Sequence, residues 1–168
     1  MTPKSDQGID HVRYQVVPRV LIFLFDQQNR VLLIKGSPQK HLWAGLYNGI
    51  GGHIEAGEDI LEAAGRELFE ETGISELSLD LCGQIMVDAL PQVGVAIFVF
   101  KGQYQGTPLS ASEEGTLTWV GMDNLDSVPL VEDLPVLLPK VAQQGSSASM
   151  IIAKYAYGSE GDLRISFR

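Results

Sequence analysis

The apolar residues of the chain fall in short runs, most of which have the composition of β-strands. Residues 14–25 are rich in Val, Ile and Phe, and a second apolar run covers 30–35 after the polar turn 26–29. Two such runs joined by a short polar turn predict a β-hairpin. The same pattern predicts further strands at 77–89, 93–101 and 117–120, and a terminal hairpin at 150–157 and 163–167.

The spacing of apolar residues becomes helical over 58–72. Gly73 follows this segment, and glycine at that place favours the left-handed backbone that ends many helices. Leu61, Ala64 and Leu68 fall on one face of the predicted helix, which we expect to pack against a sheet.

Two more helical segments are predicted near the end of the chain, at 122–125 and 133–143. The second contains Pro139, which predicts an irregular helix because proline lacks the backbone N–H. Strands and helices alternate without a regular strand–helix–strand repeat. The sequence therefore predicts an α/β fold in which helices cover a mixed sheet.

The size and composition of the chain fit one globular domain. It has 168 residues, of which 45% are hydrophobic and 20% charged. We expect 1–168 to form this domain, with a loose start at 1–11, and 145–168 to hold a linker and the terminal hairpin. Cys82 is the only cysteine, which excludes an internal disulfide and favours a reducing, cytoplasmic setting. The longest apolar run, 20–25, is far shorter than the roughly 20 residues that cross a membrane.

The charge balance limits the classes of ligand. The chain has 12 Lys and Arg against 21 Asp and Glu, a formal net charge of −9. Binding to a nucleic acid polymer requires clustered cations, so this class is not expected. A small phosphorylated ligand remains compatible with the charge when a metal ion supplies the positive charge.

Acidic residues are concentrated near the end of the predicted helix. Glu67, Glu70 and Glu71 fall within about 100° of one another on a helix, with Arg66 beside them. Carboxylates placed so closely repel each other, and a divalent cation such as Mg²⁺ or Mn²⁺ reverses that repulsion. The alternative is a solvated acidic helix face that binds nothing.

The spacing around these acids resembles the signature of the Nudix hydrolases. That signature is Gly, five residues, Glu, seven residues, then Arg-Glu-apolar-x-Glu-Glu-x-Gly-apolar. The positions are filled here by Gly52, Glu58, Arg66, Glu67, Leu68, Glu70, Glu71, Gly73 and Ile74. The resemblance implies an α/β/α sandwich and metal-dependent hydrolysis of a diphosphate linked to another group.

The resemblance also implies roles for single residues. Glu67, Glu70 and Glu71 would bind the metal together with the Gly52 carbonyl, and Arg66 would hold Glu67, which is also a candidate general base. A further acid from another loop often completes such sites, and Glu114 is the candidate here. An exposed acidic loop is the alternative interpretation of that residue.

Two local features indicate a nucleotide substrate. The run that contains Tyr47 and Asn48 is similar to the Trp-Asn-Gly-x-Gly-Gly run of the MutT-like branch, in which the Asn contacts the base; Tyr47 departs from that pattern. Glu132 and Asp133 stand near the place of paired acids that bind a purine edge in that branch. Asn48 is equally compatible with a turn, and Asp133 with a helix cap. Lys35 and Lys40 flank the site and are candidates for phosphate contacts or ordinary surface lysines.

The resemblance therefore predicts a Mg²⁺-dependent enzyme that converts a nucleoside triphosphate, including an oxidised purine one, to its monophosphate and pyrophosphate. The alternatives are hydrolysis of ADP-ribose or a dinucleoside polyphosphate, and a nucleotide sensor without turnover. The expected partner is a small nucleotide, without a membrane or nucleic acid polymer. The edge of the terminal hairpin is a candidate surface for a homodimer.

Overall fold

A computed structural model of the chain describes residues 7, 12–38, 43–106, 115–145 and 148–168. The start predicted at 1–11 lies outside this part of the chain except for residue 7. The described elements are β1 (Gln15–Phe25), β2 (Arg30–Gly36), β3 (Tyr47–Asn48), α1 (Ile60–Thr72), β4 (Asp80–Asp88), β5 (Val93–Gln103), β6 (Gly115–Gly121), a 3-10 helix (Met122–Ser127), α2 (Leu134–Gln143), β7 (Ile151–Tyr157) and β8 (Leu163–Phe167).

The eight strands form one mixed sheet. Its order is β3-β2-β1-β5-β4-β7-β8, and β6 pairs with β2 beside this path. The β1–β2 pair is antiparallel, as the predicted hairpin requires, whereas β1 and β5 are parallel along their length. The terminal hairpin β7–β8 also joins this sheet, because β7 pairs in parallel with β4.

The two faces of the sheet carry separate apolar cores. Strand alternation directs Val20, Ile22 and Leu24 to the face covered by α1, where they pack with Ala63, Ala64 and Leu68. The opposite face carries Phe23 and Phe25, which pack with the α2 residues Leu134, Leu137, Leu138 and Val141. A helix on each face of a mixed sheet confirms the predicted α/β/α sandwich.

The ends of α1 are determined by side-chain and backbone capping. The Asp59 carboxylate accepts the N–H groups of Leu61 and Glu62, and the Glu62 side chain accepts the N–H of Asp59. This capping box starts the helix at Ile60, two residues after the predicted start. The helix ends at Gly73, whose φ of 74° is left-handed.

One predicted packing residue of α1 was wrong. Leu61 was expected on the face that meets the sheet, but it is 57% exposed, and Ala63 occupies that face instead. Leu61 lies in the first turn of the helix, directly after the Asp59 cap and outside the apolar cluster. No helix in the described part of the chain is long and apolar enough to cross a membrane.

Candidate active site

A glycine-rich segment, residues 49–52, precedes α1 and joins that helix to β1. The Gly52 carbonyl accepts the N–H of Val20 at 3.0 Å, and the Gly51 N–H donates to the Glu71 carboxylate at 3.1 Å. A methyl carbon at position 52 would lie only 2.6 Å from Cδ of Glu67. A methyl carbon at position 51, where φ is 151°, would collide with the Val20 carbonyl. Both glycines are therefore required by the close approach of backbone and acidic side chains.

Arg66 organises the acidic face of α1. Its Nε and Nη2 donate to the two carboxylate oxygens of Glu58 at 2.6 and 2.9 Å. Its Nη1 donates to Glu67 at 2.7 Å and to Glu70 at 3.2 Å, while Nη2 also donates to the His53 carbonyl at 2.9 Å. The guanidinium thus links the carboxylates of Glu58, Glu67 and Glu70 with the backbone just after the glycine-rich segment.

Glu58 is the strongest partner of Arg66, a role that sequence reasoning did not assign to it. Hydrogen bonds from Arg66, followed by the Glu55 N–H, lower the pKa of Glu58 to about 2. The same pair raises the pKa of Arg66 well above its ordinary value. Arg66 therefore remains cationic and Glu58 anionic throughout the neutral range, which fixes the guanidinium in front of Glu67.

The three predicted metal-binding carboxylates differ in their exposure. Glu71 is buried, with 5% of its surface exposed, and its carboxylate accepts the Gly51 N–H. The side chain of Glu67 is 13% exposed and that of Glu70 is 56% exposed. The acids thus extend from the interior to the solvent along one helix face.

These residues have the donor chemistry that suits a hard divalent cation. They offer carboxylate oxygens, and the Gly52 carbonyl, which accepts one hydrogen bond from Val20, keeps a second lone pair. Within the described residues, however, no three acidic, His or Cys side chains are gathered closely enough to form a metal cluster. The reason is visible in the hydrogen bonds, since Arg66 holds Glu67 and Glu70 while Glu71 faces the Gly51 N–H. Nudix hydrolases generally use divalent metal cations, and the donor chemistry of these residues is compatible with one.

A cavity of about 390 Å³ opens beside the glycine-rich segment. Its lining includes Gly51 and Gly52 of that segment and the acidic residues Glu132 and Asp133. Apolar and aromatic side chains form most of the rest of the wall; they include Leu21, Trp43, Leu46, Val95, Ile97, Val131, Tyr155, Tyr157 and Leu163. This combination of apolar walls and a few polar groups is typical of a small-molecule site.

The structure brings three of the predicted base-binding residues to this cavity. Asn48, Glu132 and Asp133 all line it. The Asn48 side-chain oxygen accepts the Gly49 N–H at 2.8 Å, and Asn48 lies in β3, not in the turn of the alternative interpretation. Asp133 stands at the start of α2 but makes no capping hydrogen bond, so its carboxyl group is not used as a helix cap. Burial raises the pKa of Asp133, and the charge of Glu132 raises it further.

Two other predicted substrate residues lie elsewhere. Lys35 and Tyr47 pair with each other across β2 and β3, and the Lys35 ammonium lies 5.6 Å from the centre of the Tyr47 ring. Neither lines the cavity, because neighbouring residues of β3 point to opposite sides and Asn48 takes the cavity side. Lys40 and Glu114 lie outside the described residues.

The cavity also contains two polar residues that sequence reasoning missed, Arg19 and Tyr155. Arg19 is half-buried in β1, where burial lowers its pKa and the negative charge of Glu67 acts in the opposite direction. Tyr155 lies in β7 with its ring buried. The alternation of side chains along each strand could have indicated both, since it places Arg19 on the same face of β1 as Leu21, and Tyr155 on the same face of β7 as Ala153.

Comparison with known proteins agrees with this geometry. Residues 16–141 match the family described as the NUDIX domain. The chain is 35% identical over 121 residues to an oxidized purine nucleoside triphosphate hydrolase of Mus musculus, which covers 68% of this chain and 75% of that protein. A protein of the same description from Danio rerio is 30% identical over 125 residues, covering 73% and 78%.

A solved structure gives the same result at the level of the fold. A MutT protein from Bacillus halodurans superimposes with a TM-score of 0.72 at 26% identity, covering 90% of this chain and 96% of that one. The chain therefore belongs to the NUDIX family, and it is a Nudix hydrolase of the MutT-like type. The family match ends at residue 141, before β7 and β8.

Proposed function

We propose that the enzyme hydrolyses a nucleoside or deoxynucleoside triphosphate, including oxidised purine forms, to its monophosphate and pyrophosphate with Mg²⁺. The observation that carries this proposal is that one cavity is lined both by Asp133 and by Gly52, which lies next to the Glu67 carboxylate of α1. A purine base can occupy the apolar part, and its phosphate chain can extend toward Glu67. The names of the mouse and zebrafish relatives support the same substrate class.

The residues that line the cavity have different roles in this proposal. Asn48 and Asp133 offer hydrogen bonds to the edge of the base. Arg19 lies within reach of the charge of Glu67 and supplies a cation on the side where the phosphates would lie. A bound divalent cation would neutralise the charge of the phosphate chain at the α1 acids.

Glu67 is the proposed general base. Its Oε1 accepts the hydrogen bond from Arg66 at 2.7 Å. We expect Oε2 to accept a proton from the attacking water, because Arg66 fixes the other oxygen and orients the carboxylate. Arg66 and Glu58 act on the reaction only through the position of Glu67.

A substrate panel tests this proposal. Steady-state rates with Mg²⁺ should be highest for nucleoside triphosphates or their 8-oxo purine forms, and pyrophosphate should be the released product. The reaction should stop with EDTA and return with excess Mg²⁺. Preference for ADP-ribose by more than tenfold would overturn the choice of substrate, and the absence of any turnover would favour a nucleotide-sensing protein.

Two further expectations belong to this proposal. We propose a cytoplasmic enzyme, in agreement with the single, buried cysteine. Strand β8 forms the end of the main strand order and leaves an edge at which a second copy can pair. Light scattering after size-exclusion chromatography measures whether the purified enzyme is a homodimer.

A further inference from the structure

The hydroxyl group of Tyr155 is an exception in the interior of the protein. It is the only buried side-chain nitrogen or oxygen in the described residues that has no hydrogen-bond partner. The residue is 4% exposed and lines the cavity. Buried polar groups are nearly always hydrogen-bonded, so an unpaired hydroxyl at the wall of a binding cavity indicates a group that gains its partner when the cavity is occupied.

The charged group that acts on this hydroxyl is Asp133. Burial raises the pKa of Tyr155 far above its ordinary value, and the charge of Asp133 raises it further. In return Tyr155 opposes the rise in the pKa of Asp133 that burial and Glu132 cause. The two groups are therefore close enough to influence each other, although they do not meet hydrogen-bond geometry in this structure. At neutral pH the tyrosine keeps its proton and is a hydrogen-bond donor.

We propose that Tyr155 determines base specificity by acting through Asp133. When a base fills the cavity, the Tyr155 hydroxyl donates to one carboxylate oxygen of Asp133 and keeps that group ionised. An ionised carboxylate only accepts hydrogen bonds. This proposal rests on the proposed function, because it assumes that the base end of a nucleotide lies against Asp133.

The chemistry of the carboxylate determines which base edge fits. A guanine-type edge presents two neighbouring donors, the ring N1–H and the exocyclic amino group, and both can bind a carboxylate. An adenine-type edge presents one donor and the N1 acceptor, which would face a lone pair. A protonated Asp133 would instead match adenine, since it offers one donor and one acceptor. Tyr155 thus favours guanine-type nucleotides by favouring the ionised form of Asp133.

Tyr155→Phe tests this inference, and Tyr14→Phe is its matched control. Tyr14 is 46% exposed and is not among the residues that line the cavity. We expect Tyr155→Phe to reduce the preference for dGTP over dATP in kcat/KM by about tenfold or more, with Tyr14→Phe close to wild type. In an Asp133→Asn background, Tyr155→Phe should cause no further change, because its effect passes through that carboxylate.

A binding measurement without metal or turnover provides the second readout. Calorimetry with GMP and AMP across pH 5–8 should show GMP affinity falling as Asp133 takes up its proton. In the Tyr155→Phe variant, the pH at which GMP affinity is half lost should be higher, because the ionised Asp133 carboxylate no longer accepts a hydrogen bond from residue 155. The other charged groups that line the cavity are Arg19 and Glu132, and neither is changed by the substitution.

The outcomes are distinguishable from failure of the proposed function. An enzyme that hydrolyses no nucleoside triphosphate refutes that function, while the GMP and AMP titrations still decide the role of Tyr155. The inference is overturned when Tyr155→Phe keeps the wild-type base preference within threefold and the same pH midpoint. It is also overturned when neither monophosphate binds to the wild-type protein.

Discussion

Replacing Gly52 by alanine tests whether the Glu67 carboxylate must lie where the structure places it. The added methyl carbon would lie 2.6 Å from Cδ and 2.8 Å from Oε2 of Glu67, whereas ordinary contact begins near 3.4 Å. The carboxylate must therefore move by about 0.8 Å, and misplacement by about 1 Å of a group that positions reactants can cost about 10²-fold. We expect kcat/KM to fall by about two orders of magnitude.

The fold should tolerate this substitution, because the group that must move is the end of a flexible side chain. Circular dichroism and thermal melting should therefore show little change, while steady-state hydrolysis with Mg²⁺ shows the loss. Gly65→Ala is the matched control, since a methyl group there meets nothing within 4 Å. A Gly52→Ala enzyme with kcat/KM within threefold of wild type would refute the assigned position of Glu67.

The remaining predictions concern the same helix and the cavity. Glu67→Gln and Glu71→Gln should each lower kcat by two orders of magnitude or more with the fold intact by circular dichroism. Wild-type turnover in either variant would show that the residue has no role in the reaction. Gly65→Ala should raise stability by about 1 kcal/mol, a rise in Tm of about 2–4 °C in calorimetry, and a lower Tm would contradict its exposed place in α1. Tyr155→Phe should also raise stability, by about 1 kcal/mol in denaturant melts, because it removes an unpaired buried hydroxyl. Because the folded-state pKa of Glu58 is lowered from 4.5 to about 2, its contribution to stability is complete above pH 4.5 and is lost as the pH falls toward 2. The difference in Tm between wild type and Glu58→Gln should shrink over that interval, and a constant difference would show that the Arg66 pair does not stabilise the fold.

The sequence allowed the fold to be predicted because its signals are local. A run rich in Val, Ile and Phe identified β1, and Gly73 marked the end of α1, which the structure confirms. The predicted start of α1, at residue 58, was two residues early, because the Asp59 side chain caps the helix and Ile60 is its first residue. Glu58 binds Arg66 instead, eight residues further along.

The site was harder to predict than the fold, because its residues meet across the sheet. The signature identified the acids of α1, but it gave no indication that Arg19 and Tyr155 line the same cavity as Asp133. Tyr155 reaches this cavity because β7 pairs in parallel with β4, which is a contact between distant parts of the chain. Whether 1–168 forms one domain stays a prediction.

The residues proposed for hydrolysis and part of the cavity wall proposed to select the substrate lie in different parts of the chain, and the terminal hairpin contains only the second. Strand β7 and residue Leu163 of β8 form part of the cavity wall, although the family match ends at residue 141. The groups that would cleave the substrate all precede that point, whereas part of the wall that would select it follows. Exchange of about twenty residues at the carboxyl terminus is therefore a route to new substrates that leaves the hydrolytic machinery untouched.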